Sequence, residues 1–354
     1  MTPAGRGDQE SGPMAGQQAV PSAQALAPYA QPHLGRALLD VATSVVPYFA
    51  LTVLMYLSLE VSYLLTLALA VPAAAFLLRT FILFHDCTHG AFVPTRRANT
   101  WLGVALGVVV FQAFHSWRYN HAVHHGTAGD LDRRGTGDVH TLTVAEFTAM
   151  PWRGRLLYRL FRNPLVMFGF GPLYALVLQP RLLRGSAQPR IRRSIIGTDL
   201  ALAAILGGLC WLVGWQAVLL VQAPPILLGG AVGVFLFYVQ HQFEDTYWER
   251  RDDWTFAESA LQGSSHLKLP QPLQFFTGNI GIHHVHHLNA RIPNYNLQRA
   301  HDENPIFHAV PTLTLWEAVR AVRLKLWDED RGRLVTFAEA RPARARAVLS
   351  NTSP

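Results

Sequence analysis

Long apolar runs broken by short polar turns dominate the chain. A first run over Leu39–Leu59 and a second over Tyr63–Phe84, parted at Glu60, each reach the roughly 20 residues that cross a hydrocarbon core. A third from Ile195 to Val221 and a fourth from Pro225 to Val239 predict another pair, with the turn at Gln222–Pro225, where Pro224 and Pro225 fall. The pattern therefore predicts an all-α integral membrane protein with four transmembrane helices in two hairpins. Two weaker stretches, Trp101–Phe114 and Leu165–Leu178, are short or glycine-rich and read as re-entrant or interfacial helices.

The polar remainder divides the chain. Residues 1–36 are expected to be a disordered tail, since the first 32 are rich in Ala, Gln, Pro and Gly and carry no signal peptide. Residues 37–327 form the membrane domain, and 328–354 a C-terminal tail that is Arg- and Ala-rich from about Gly332 and suited to a membrane surface. The segment from His115 to Ser194 carries Arg153, Arg155, Arg159, Arg162, Arg192 and Arg193, whereas the tight turns carry none. By the positive-inside tendency that segment, and with it both termini and a helical cap, is cytoplasmic.

Composition agrees: half of the residues are apolar and only 15% charged, against about 25% in soluble domains. The net charge of +7 does not indicate nucleic-acid binding, because the arginines fall between apolar runs rather than on one compact face. Two cysteines, Cys87 and Cys210, supply neither a disulfide framework nor a CxxC metal site.

Three histidine clusters carry the candidate chemistry: HDCTH with His85 and His89, HAVHH with His121, His124 and His125, and HHVHH with His283, His286 and His287. Positions i, i+3 and i+4 share a helix face, so each cluster is expected to aim its imidazoles at a common point. His241, closing the last apolar run in FYVQHQ, adds a ninth. Nine imidazoles exceed what one ion uses and suit two ions that each keep an open position. Imidazole alone does not name the metal. Neither Glu-x-x-His nor HExxH occurs, which disfavours a soluble-type di-iron bundle and a zinc protease.

With their surroundings, HDCTHG, HAVHHGTAGDLDRRGTGDV and GNIGIHHVHHLNARIPNYNL resemble the three histidine boxes of membrane fatty acid desaturases, above all the acyl-lipid omega-6 (Δ12-type) group, over residues 40 to 325. The resemblance implies a di-iron site with O2 as co-substrate, ligated by His85, His89, His121, His124, His125, His241, His283, His286 and His287. In the third box the HxxHH pattern selects His283 and leaves His284 aside. His33, His140, His266, His301 and His308 are not expected to be ligands. Groups expected to orient the imidazoles are Asp86, His115 and Asn279, from a wider set that includes Asp130, Asp132, Asp138, Glu244 and Asp245.

Breaking an unactivated methylene C–H bond needs an oxidant that side chains lack. The resemblance implies an acyl lipid or acyl thioester as substrate. With no flavin, nicotinamide or fused haem motif present, the two electrons are expected from a separate ferredoxin or b-type cytochrome. Membrane lipids are the other expected partners, the inner membrane of a bacterium the expected location. A hydroxylase, ketolase or epoxidase of the same type is the alternative within enzymes, and a membrane metal or haem carrier the alternative outside them.

Overall fold

A computed structural model describes residues 23–183 and 188–340 of the 354-residue chain. Four helices in it are long and apolar enough to cross a membrane: Leu34–Ser58, Tyr63–His89, Pro189–Val213 and Trp215–His241. The first two pack along each other, and an ion pair ties them together, Arg79 Nη2 to Asp40 Oδ1 at 2.8 Å. The fourth long helix packs on the second, where Gly229 brings its backbone against Ala74.

The joint between the third and fourth long helices is not where the prolines predict it. The chain turns at Gly214, in the left-handed region at φ 83°, while Pro224 and Pro225 lie inside the helix Trp215–His241. Proline is tolerated in such a helix because neighbouring groups satisfy the freed carbonyls, whereas glycine reaches a left-handed φ at no steric cost.

Both weaker apolar stretches are broken. Arg96–Val109 and Phe114–Thr127 meet at 102°, with Phe111 at φ 61° in the corner. The second stretch runs through π-helical turns at Val166–Phe170 and Leu173–Leu178, bent by 57° from the helix Trp152–Phe161.

The ends differ from the expected tails as well. Residues 23–36 are folded rather than disordered: Leu26 and Tyr29 are buried in a cluster with Leu297 and Phe307, and the Tyr29 hydroxyl donates to Glu303 at 2.8 Å. Residues 1–22 lie outside the described part. Near the other end, Leu326–Asp328 pairs in parallel with Leu142–Thr143 and antiparallel with Arg333–Val335, so the start of the expected C-terminal tail is a strand hairpin. Burial of apolar side chains such as Leu326 and Leu334 drives this docking; residues 341–354 lie outside the described part.

Candidate metal centre

Each histidine is delivered by a local device. The second long helix ends directly after His89 because Gly90 takes the left-handed C-cap at φ 71°, leaving His85 and His89 one turn apart on its last stretch. Phe114–Thr127 carries His121, His124 and His125, the fourth long helix ends on His241, and the short helix His283–Leu288 carries the third box.

These side chains form two groups in which the ligand atoms lie within 4.8 Å of one another: His85, His89, His121, His125 and His286 in one, His124, His241, His283 and His287 in the other. The groups are adjacent, the His125 and His287 rings stacking at 4.1 Å. The second and third boxes therefore do not aim at one point; each is shared between the groups. The reason is helix geometry: at about 100° per residue, i and i+4 lie about 40° apart, while i+3 lies on the other side of i. His121 and His125 accordingly face one group and His124 the other; His283 and His287 face one and His286 the other.

Hydrogen bonds set the tautomers. His124 Nδ1 contacts Asp138 Oδ1, His241 Nδ1 donates to the Gly263 carbonyl at 3.0 Å, and His85 Nδ1 lies 3.2 Å from Asp86 Oδ1. A neutral imidazole has a single N–H, so in each of these rings Nε2 is left as a bare lone pair. Yet the Nε2 atoms of His124 and His241 face each other at 3.2 Å, and those of His241 and His283 at 3.0 Å. In the first group His125 Nε2 is 3.1 Å from His121 Nε2 and 3.0 Å from His286 Nε2. The buried Nε2 atoms of His89 and His287 have no hydrogen-bond partner. Between His124 and His241 both Nε2 atoms are therefore lone pairs, which repel unless a cation sits between them, and a buried polar atom without a partner is costly. Burial, followed by the crowding of imidazoles, pushes His121, His125, His283, His286 and His287 well below the ordinary histidine value. They are neutral, the form that binds a metal. The donor set thus fits two cations bound through nitrogen.

Of the expected orienting groups, Asp86 stands in the centre: its Oδ1 faces His85, and its Oδ2 accepts from the Asn294 backbone and side-chain nitrogens at 2.6 and 3.0 Å. Asn279, at φ 56°, is one step further out and donates to the Asn294 carbonyl at 3.2 Å. His115 faces away, its Nε2 accepting from Arg190. Asp130 and Asp132 pair with Arg133 and Arg250, Glu244 pairs with Arg333, and Asp245 is exposed. His284 points away from both groups and bonds His301 at 3.0 Å, beside His266.

Asp138 stood only in the wider set of expected orienting groups, with no spacing rule to single it out, and Asn294 was legible only as part of IPNYN. Since Asp138 is the group facing His124 Nδ1, Asp138→Asn is expected to weaken metal binding by about 10–100-fold while leaving the fold intact. Metal titration of the purified variant, with its thermal unfolding as control, checks this.

A cavity of about 850 Å³ runs from His85, His121 and His283 between the second and fourth long helices to Leu77 and Ile226. Its wall near the histidines includes Trp117, stacked on His121 at a centroid distance of 4.2 Å.

Fold and site together define a class: a helical membrane protein holding a buried, all-histidine centre with room for two metal ions at the end of an apolar cavity. Residues 61–313 match the fatty acid desaturase family. A fatty acid desaturase of Bacillus subtilis is 46% identical over 312 residues, 88% of this chain and 89% of that one. From Synechocystis, an sn-1 acyl-lipid omega-3 desaturase (ferredoxin) is 28% identical over 231 residues, 62% of each chain. An sn-1 oleoyl-lipid 12-desaturase of the same organism is 29% identical over 225 residues, 62% of this chain and 63% of that one. The chain belongs to the fatty acid desaturase family and is an enzyme of that kind.

Proposed function

We propose that this protein places a double bond in the acyl chain of a membrane lipid, with His85, His89, His121, His124, His125, His241, His283, His286 and His287 holding two iron ions. The observation that carries the metal assignment is the pair of bare Nε2 atoms of His124 and His241 facing each other at 3.2 Å, their Nδ1 atoms already held by Asp138 and the Gly263 carbonyl. Bound there, iron would supply the O2 chemistry that removes hydrogen from an unactivated methylene pair. One O2, two electrons and two protons are consumed with the two hydrogens, and the products are an alkene and two waters. The electrons come from a ferredoxin or b-type cytochrome, as the ferredoxin-linked name of one Synechocystis relative supports.

The protein's own contribution is position and dryness. The apolar cavity lays the chain past His85, His121 and His283 and excludes bulk water from the oxidising centre. Asp86, Asp138 and the Gly263 carbonyl hold three imidazoles in one tautomer, so that little reorganisation is needed when metal binds. The histidine-bearing helix ends and both termini face the cytoplasm, consistent with the arginines between Trp152 and Arg193; the membrane is the inner membrane of a bacterium.

Insertion at the omega-6 (Δ12-type) position is the placement expected from DRRGTGDV after the second box and NARIPNY after the third. Expression in a host without polyunsaturated lipids, with a compatible donor, is expected to yield a dienoic acid by gas chromatography with double-bond localisation. A double bond elsewhere would retain desaturation and overturn the position; a hydroxylated or epoxidised chain would overturn the reaction type. Removing iron with a chelator is expected to abolish product and lower the unfolding temperature, because ligand binding to the folded state alone stabilises it. Refilling with Fe(II) restores both.

A further inference from the structure

The exposed residues of the cavity wall fall in two stretches of the chain, and each marks a candidate opening. One is polar and lies beside the histidines, at Asn120 and the exposed Gly137. The other is apolar: Phe161, Phe170 and Tyr174 line the cavity and are also 48%, 69% and 57% exposed, with Leu165 next to them at 82%. We propose that the acyl chain enters through this second opening, sideways from the bilayer, while its lipid stays seated in the membrane. The proposal rests on the desaturase reading and adds the route.

The surroundings of the opening match a bilayer. In the helix Trp152–Phe161, Trp152, Leu156, Leu157, Leu160 and Phe161 are all exposed and spread over about half of the circumference by their spacing, with the exposed Arg153 among them and the exposed Arg155 on the other side. An apolar face flanked by tryptophan and arginine is the pattern of a helix lying in the headgroup layer. The chain then bends by 57° into a stretch whose side chains are apolar and exposed, which is the composition of lipid contact.

That stretch also forms one wall of the cavity. Its π-helical turns are rare in proteins and mark functional irregularity. It sits closely on the fourth long helix at Gly230, where a Cβ would come within 2.8 Å of Pro172 Cβ and 2.7 Å of Leu176 Cδ1. It is fastened again at its far end, where Gln112 donates to the Ala175 carbonyl and Arg181 donates to the Phe111 carbonyl at 2.6 Å while pairing with Asp199 at 2.7 Å. Phe111, also on the cavity wall, is held at φ 61°, a conformation that persists for a bulky residue only where its surroundings enforce it. Inside the opening, Gly233 lines the cavity with only Leu78 near its missing Cβ, at 3.8 Å, which leaves a passage an acyl chain can occupy.

The test uses the full chain loaded with iron in vesicles containing a glycerolipid with a diazirine midway along one acyl chain. After irradiation, adducts are mapped by mass spectrometry. Adducts are expected on Phe170 or Tyr174 at the opening and on Leu78 or Val234 inside. Gly233→Trp is expected to lose the inner adducts and retain those at the opening, with iron content unchanged. Adducts confined to the outer faces of Leu34–Ser58 and Pro189–Val213, or found at Asn120 and absent from the opening, would overturn the proposal. Desaturated product without adducts at the opening overturns the route and leaves the activity standing. Adducts at the opening without product, in vesicles supplied with the donor, overturn the activity and leave the route standing.

Discussion

His286→Ala and His287→Ala are each expected to abolish desaturated product, whereas His284→Ala retains it. All three are buried neighbours on one short helix, so exposure does not separate them. Direction does. His286 belongs to the five-histidine group and His287 to the four-histidine group, while His284 turns to His301 and Phe307. Iron per chain is therefore expected to fall in both ligand variants, from different halves of the centre, which Mössbauer spectra of the two proteins will distinguish. His284→Ala leaves His301 without a buried partner and is expected to cost about 1–3 kcal/mol of stability at full iron content. Iron loss in His284→Ala together with retention in His287→Ala would reverse the assignment within the third box.

Arg162→Met is expected to destabilise the folded protein by about 3–5 kcal/mol, because several buried acceptors lose their donor at about 1–3 kcal/mol each. Arg162 is fully buried, and its guanidinium donates to six oxygens: the carbonyls of His140 and Leu324, the hydroxyls of Thr141, Tyr158 and Tyr238, and Gln242 Oε1. It thereby fastens three parts of the chain: the loop that follows Asp138, the end of the fourth long helix around His241, and the strand pair near the C-terminus. Methionine fills the space but leaves those acceptors unpaired. Arg162→Lys, with a charge but no fork, is expected to fall between. Thermal unfolding of the detergent-solubilised proteins provides the measurement, and an unfolding temperature unchanged in Arg162→Met would show that the network contributes little.

Lys325 adds a pH dependence to the same network. Burial and then the Arg162 charge push its amine from the ordinary lysine value of 10.5 down to about 7. The folded chain releases that proton where the unfolded chain keeps it, so its contribution to stability increases as pH rises from about 7 towards 10.5 and is flat below. Lys325→Met is expected to remove that rise.

The membrane class, the four long apolar helices and the nine histidines were legible in the chain because each rests on a local rule: run length for spans, spacing for ligands. The boundary between the third and fourth helices was misplaced, since Pro224 and Pro225 are strong turn signals in water and a lone glycine among apolar residues is a weak one. Gly214 prevailed because surrounding helices support proline inside a long helix and only glycine fits φ 83° without strain. Residues 23–36 have the composition of a tail, yet Leu26 and Tyr29 fold onto residues far along the chain. Composition cannot report a contact 274 residues away.

By itself, then, the sequence determined which residues are able to bind metal and that they lie at span ends and in the segments between the spans. Tertiary structure decided how they are divided. The partition into five and four and the pairing of His124 with Asp138 depend on how helices distant in sequence are rotated against one another. Packing of side chains sets that rotation, and no local pattern encodes it.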